Sequence, residues 1–184
     1  MSKNFDLGSE RLLLQPFAPA DLETLHALWS APLVRKFLWD DIIIPVEAAQ
    51  EVISTSQQLF EHKGFGFWNV LSAKGKIHLG FCGLRFIEDT PDLEMLYGLW
   101  PENWGKGYAT EAAMMVLRFG LEERKLERIL VSADPCNVAS LRVVERLGMK
   151  FFEQTRRNNL EVIYYALTRE QWLREKESRF ATRS

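Results

Sequence analysis

Residues Pro101 to Ala112, Pro-Glu-Asn-Trp-Gly-Lys-Gly-Tyr-Ala-Thr-Glu-Ala, have the types and spacing of an anion cradle. They follow an apolar run, Leu93 to Trp100, and open a helical pattern. Gly105 and Gly107 let the chain turn where a Cβ would clash, and let an anion approach several main-chain N–H groups together. A helix N-terminus adds unpaired N–H donors and about half a positive charge. Together these suit a phosphate. Two common phosphate motifs fit poorly. A Walker loop needs Gly-x-x-x-x-Gly-Lys followed by Ser or Thr, but Lys106 is followed by Gly107 and the first glycine slot holds Trp100. A dinucleotide fingerprint needs a third glycine, and that slot holds Thr110. A glycine-rich turn without a ligand is the remaining reading of this stretch taken alone.

Other reactive side chains give weaker signals. Three histidines and two cysteines show no metal-ligand spacing. His26 lies on an apolar stripe and reads as packing. His62 ends a helix, where a cation is favoured, and reads as structural. His78 stands on a strand, packed or facing a substrate cleft. Cys82 and Cys136 build no disulfide framework. A net charge of −2 argues against a nucleic-acid-binding surface. The N-terminal residues lack an apolar signal region, and no apolar run approaches about 18 residues. A soluble chain in the reducing cytoplasm is the expectation, with no membrane partner.

The elements that would position the cradle follow from periodicity. Arg11 to Gln15 reads as a strand. Pro19 opens a helix with Leu22, Leu25, His26 and Trp29 on one face. Val34 to Trp39 is a short apolar segment, and Pro45 opens a helix to about His62, ended by Lys63-Gly64. Phe65–Leu71, Ile77–Ile87 and Leu93–Trp100 read as strands two to four. Tyr108 to about Glu122 is a helix, and Ile129–Ala133 is the fifth strand. Asn137 caps a helix to Leu147, with Gly148 past its end. Phe151–Arg157 and Glu161–Leu167 close the pattern as a strand pair. The 184 residues are expected to form one domain, with a core over about 10–172 and a charged tail over 173–184 that forms a short helix fraying near Ser184. This is an α/β layer fold with a mixed sheet and helices on both faces.

That order, with the glycine turn after strand four and Asn137-x-x-Ser140 after strand five, resembles the GCN5-related N-acetyltransferase (GNAT) superfamily. Three local words resemble its RimJ/RimL-like branch of ribosomal-protein N-terminal acetyltransferases. They are Glu10-Arg11-Leu12, the run Trp104 to Ala112, and Asn137-Val138-Ala139-Ser140 through Glu145-Arg146-Leu147-Gly148-Met149. The resemblance implies a mostly antiparallel sheet of about seven strands, splayed between strands four and five, with acetyl-CoA in the splay. Main-chain groups of Gly98, Leu99 and Trp100 would pair with the pantetheine arm as an added strand does. N–H groups of Trp104, Gly105, Lys106, Gly107, Tyr108, Ala109 and Thr110 would hold the pyrophosphate. Asn137 would reach the pantetheine amides, and Ser140 would lie near the thioester sulfur or the phosphates. Lys106 adds charge toward the phosphates or points to solvent. Cys136 would lie beside the cofactor, and Glu111 would complement the helix N-terminus.

Two positions depart from the superfamily pattern. Trp104 stands where Gln or Arg is usual, a change that the branch shares. Val144 stands where many members carry a tyrosine that protonates the leaving thiolate, so the proton would come from Ser140, from water or from the amine.

Acetyl transfer needs a neutral amine. About a tenth of α-amines are neutral at pH 7, against roughly one lysine in a few thousand. A carboxylate suffices as base, and Glu94, at the offset from Gly105 where the branch has Glu, is the candidate beside Ser140. A solvated or salt-bridged residue is its other reading. A strand N–H near Leu99 would serve the oxyanion. Trp39 and Tyr97 are the candidates to bind the acceptor, with Asp40 and Asp41 in the same roofing segment. The expected reaction is direct transfer to a primary amine, chiefly a protein N-terminal α-amine. Alternatives are a small-molecule amine (polyamine, amino acid or antibiotic), a non-catalytic acyl-CoA sensor, and a nucleotide-binding module. The branch contains monomers and homodimers, so the resemblance implies one or the other.

Overall fold

The apolar runs of the sequence become strands, and their alternation decides which helices lie on which side. A computed structural model of the chain describes residues 5–88, 90–157 and 160–181, with side chains through Glu177. The strands are β1 (Leu7–Gly8), β2 (Leu12–Pro16), β3 (Phe67–Ser72), β4 (His78–Phe86), β5 (Leu93–Leu99), β6 (Arg128–Ala133), β7 (Lys150–Arg157) and β8 (Leu160–Thr168). They form one sheet in the order β1-β2-β3-β4-β5-β6-β8-β7. Every neighbouring pair is antiparallel except β5 and β6. The seven strands expected from periodicity are present. The eighth is β1, which pairs Leu7 with Leu14 and is too short to show a period.

The helices are α1 (Leu22–Ser30), α2 (Pro32–Leu38), α3 (Val46–Lys63), α4 (Tyr108–Arg118), α5 (Val138–Arg146) and α6 (Arg169–Ala181). The apolar segment 34–39 is thus mostly helical. Pro32 in its first turn carries a φ already suited to a helix and no N–H to leave unpaired. The helix expected to reach Glu122 changes at Phe119 to a wider π turn, Phe119–Glu123. The tail helix begins before Trp172. Trp172 and Lys176 reach back to Glu122, each at 2.7 Å, so α6 is tied to that π turn. The fraying expected near Ser184 lies outside the described residues.

Adjacent side chains on a strand point to opposite faces. Phe81 joins Phe17, Leu25, Trp29, Val34 and Phe67 in a core beneath α1 and α2. Its neighbour Cys82 joins Met95, Leu99, Ala112, Val116 and Val144 in a larger core beneath α4 and α5. Helices therefore cover both faces. Ala112 and Ala113 are fully buried, and their small side chains let α4 lie close to the sheet. No helix of the described residues is long and apolar enough to cross a membrane.

Candidate active site

The two parallel strands part almost as soon as they meet. β5 and β6 are paired only at Glu94 and Leu130. Beyond that point a cleft of about 1040 Å³ opens, with Tyr97, Gly98 and Leu99 on one wall and Val131, Ser132 and Ala133 on the other. The main-chain N–H of Trp100 donates to Leu79 of β4 at 3.0 Å. Alternation then turns the main-chain groups of Tyr97 and Leu99 toward the gap. The Leu99 carbonyl accepts from the Trp104 indole at 2.8 Å, which pins the turn to the end of β5.

The turn itself is built as an anion cradle. Gly105 and Gly107 have φ of 73° and 81°, a left-handed conformation that side chains disfavour. Gly107 is the N-cap of α4 and offers no side chain to its N–H groups. The first helical bond runs from Glu111 N–H to the Gly107 carbonyl at 3.0 Å. Gly107, Tyr108, Ala109 and Thr110 therefore hold the N–H groups that a helix cannot pair internally. The Thr110 hydroxyl is buried without a partner. Arg11 braces the turn from the start of β2. It donates to Glu111 at 2.7 Å and to the Lys106 carbonyl at 3.2 Å, and stacks on Tyr108 at 4.9 Å. Ser9 also donates to Glu111 at 2.7 Å, so the Glu111 carboxylate in the first turn of this helix is paired with Arg11 and Ser9. These features fit the diphosphate of acetyl-CoA, which when bound supplies an acetyl group as a thioester.

Polar groups stand on the two sides of the gap. On the α1–α2 side, the wholly buried Glu94 carboxylate accepts from Arg85 at 3.0 and 3.2 Å and from the Ser132 hydroxyl. On the α4–α5 side, the Tyr97 hydroxyl lies 2.9 Å from Ser140 Oγ. Ser140 is held in turn by its N–H, which donates to Asn137 Oδ1 at 3.1 Å. Burial pushes the Tyr97 phenol up to about 12. Val144, in the slot of the usual tyrosine, is 2% exposed and belongs to the core.

The sequence-expected residues separate into groups. Gly98, Leu99, Trp104, Gly105, Gly107, Tyr108, Ala109, Thr110, Asn137 and Ser140 line the cleft, as do Trp39 and Tyr97 at their own positions. Trp100, Lys106 and Glu94 are not among its lining residues. Trp100 instead packs beneath α1 and α2, and its indole donates to His78 Nδ1 at 3.1 Å. Arg85 and Ser132, which do line the cleft, stand between it and Glu94. Reading the chain as letters missed Arg11, Arg85, Ser132, Arg142 and Arg146. Arg142 and Arg146 line the cleft from α5. Only Arg11 had a local signal, the word Glu10-Arg11-Leu12.

His78 sits away from the cleft, in a chain of hydrogen bonds from Trp100 through Asn69 at 3.2 Å to Asp21. An indole N–H can only donate, so His78 Nδ1 accepts and Nε2 carries the proton. Burial lowers its pKa below the ordinary 6.5, opposed by Asp21. The folded state thus prefers neutral His78, and the unfolded chain takes the proton first as pH falls. Stability from this site is complete above about pH 6.5 and is lost below it. Urea unfolding at neutral and mildly acidic pH is expected to show the loss. His78→Gln, which keeps a donor and an acceptor, should show a smaller one.

The sequence profile of the acetyltransferase (GNAT) domain matches residues 11–150. The Bacillus subtilis (strain 168) protein YnaD, named as an uncharacterized N-acetyltransferase, is 37% identical over 174 residues, covering 90% of this chain and 98% of YnaD. The fold is similar to a GNAT-family acetyltransferase from Bacillus anthracis, with a TM-score of 0.76 at 26% identity over 90% of this chain and 99% of that one. It is also similar to RimL, a ribosomal L7/L12 alpha-N-protein acetyltransferase in complex with coenzyme A. There the TM-score is 0.74 at 17% identity, over 89% of this chain and 97% of that one. The chain belongs to the GNAT family, as an N-acetyltransferase with acetyl-CoA as its donor.

Proposed function

We propose that this acetyltransferase modifies the α-amine at the N-terminus of a protein or peptide, as in the RimJ/RimL-like branch. The observation that supports this most is the state of Glu94. It is wholly buried and committed to Arg85 and Ser132, so its carboxylate is held back from the cleft. Such a site suits an acceptor that is already partly neutral. At pH 7 the neutral fraction of an α-amine exceeds that of a lysine by about two hundredfold. The far end of the cleft is lined by Phe37, Trp39, Ile42 and Phe81, with Leu33 and Ile42 exposed at its mouth. These walls would receive an apolar first side chain, and the exposed carboxylate of Asp40 would draw in a cationic end. Glu94 acts through the Ser132 hydroxyl, which takes the amine proton as it passes its own to the carboxylate. Two unpaired thiols, Cys82 and Cys136, suit the reducing cytoplasm.

A thiol-release assay over a panel of amines tests the acceptor. Peptides with a free, apolar N-terminal residue are expected to exceed N-terminally blocked, lysine-containing peptides by at least about a hundredfold in kcat/KM at pH 7. A faster polyamine, free amino acid or aminoglycoside would move the function to a small-molecule acceptor. Thermal stabilisation by acetyl-CoA without release from any amine would favour a sensor.

A further inference from the structure

We propose that Tyr97 and Ser140 form a proton-donating pair for the sulfur that leaves when the acetyl group moves. The phenol absent at Val144 is thereby supplied from β5, on the opposite wall of the cleft. The proposal rests on acetyl transfer from acetyl-CoA, not on the identity of the acceptor.

The geometry is specific. Positions 140 and 144 share a face of α5 one turn apart. Val144 is spent on the core, but Ser140 lines the cleft. Tyr97 crosses from β5 to place its hydroxyl 2.9 Å from Ser140 Oγ and 3.3 Å from the Ser140 carbonyl. Both partners are fixed. Ser140 lies in the first turn of α5 under the Asn137 cap, and Tyr97 sits opposite Cys82 in the β4–β5 ladder, packed against the core. The groups acting on the phenol are burial, Ser140 and Cys82, and the Cys82 thiol is itself pushed up by burial. The phenol therefore keeps its proton at neutral pH, and in the proposed pair it donates that proton to Ser140 Oγ, a direction that the 2.9 Å contact allows. That leaves the Ser140 proton free to turn into the cleft, and the two hydroxyls polarise each other.

In the reaction, Ser140 Oγ gives its proton to the sulfur as the carbon–sulfur bond breaks. Tyr97 passes its own proton to Ser140 Oγ. The nitrogen that forms the new amide bond sheds one proton through Ser132 and Glu94 to water, and water returns one to Tyr97. The balance is one N–H exchanged for one S–H. Ser140 is the catalytic residue of the pair, and Tyr97 is a positioning residue that acts through it.

The test uses Tyr97→Phe, Ser140→Ala, Ser140→Thr and the double variant Tyr97→Phe/Ser140→Ala. Coenzyme A is bound to each, and its thiol is titrated by the ultraviolet absorbance of the thiolate. Hydrogen bonds to a charged form favour it. The thiolate fraction at a given pH is expected to be about tenfold higher on the wild type than on Ser140→Ala, with Tyr97→Phe in between and Ser140→Thr restored. In turnover, Ser140→Ala should lower kcat by about a hundredfold with KM for acetyl-CoA nearly unchanged. Tyr97→Phe should lower it by about tenfold, and the double variant should be no worse than Ser140→Ala. Identical thiol titration in all four proteins and the wild type would overturn the pair. Failure of the wild type to bind coenzyme A would overturn the acetyl-CoA reading as well.

Discussion

Gly107→Val is expected to weaken acetyl-CoA binding by about a hundredfold or more while the protein stays folded. Space is not the reason, since a Cβ built on Gly107 meets only the Arg11 guanidinium, at 3.6 Å. The backbone is the reason. Gly107 has φ of 81°, a conformation that costs an ordinary residue about 1–2 kcal/mol and is an outlier for a β-branched one. Valine would draw position 107 out of that region and turn the N–H groups of Tyr108 and Ala109 away from the cleft. Hydrogen bonds to a charged group are worth about 1.5–3 kcal/mol each, so losing one or two accounts for the hundredfold. Lys106→Ala is the contrast. Lys106 is not among the residues lining the cleft, and its loss is expected to change affinity by less than about threefold through screened charge alone. Calorimetric titration with acetyl-CoA checks both, and thermal unfolding without ligand shows that each variant is folded. Wild-type affinity in Gly107→Val would remove the turn from the cofactor site.

Gly80→Ala is expected to lower stability by about 3 kcal/mol, which in a chain of this length lowers Tm by about 6–12 °C. A Cβ at Gly80 would lie 2.1 Å from the Gly98 carbonyl oxygen and 2.6 Å from Leu99 Cα. These are backbone atoms of β5, and no rotamer change removes them. Alanine must therefore push β5 away from β4. Gly98 and Leu99 form one wall of the cleft, so acetyl-CoA binding should weaken in the same variant. Gly8→Ala is the control, because nothing lies within 4 Å of a Cβ built there. Its Tm should match that of the wild type within about a degree. Equal Tm values for the two variants would mean that the close approach of β4 and β5 is not what sets the wall.

The residues of the phosphate turn could be read because the requirement is local. A left-handed backbone and free N–H groups at a helix start are properties of Trp104 to Thr110 themselves. Glu94 and Tyr97 could be selected as polar residues on one strand, and alternation put them on opposite faces. Their partners could not be read. Arg85 is nine residues away on the neighbouring strand, Ser132 lies across the parallel pair, and Ser140 lies in the helix after β6. Those contacts exist only because β4, β5 and β6 register as they do. Arg11 shows the same limit. Its word was visible, but its hold on Glu111 spans a hundred residues of chain. The segment 34–39 was obscured for another reason, since a seven-residue helix is too short for its periodicity to separate from that of an apolar strand.

By itself the sequence determined the order of seven of the eight strands and of α1, α3, α4 and α5, the cradle at Gly105 and Gly107, and the family, because each depends on residues close together in the chain. The tertiary structure decided what Glu94 is bonded to and which phenol stands beside Ser140. It also separated Trp100 and His78 from the cleft and opened β5 from β6 after a single pair. Side-chain partnership across a sheet is set by register and strand order, and one sequence without neighbours carries no record of either.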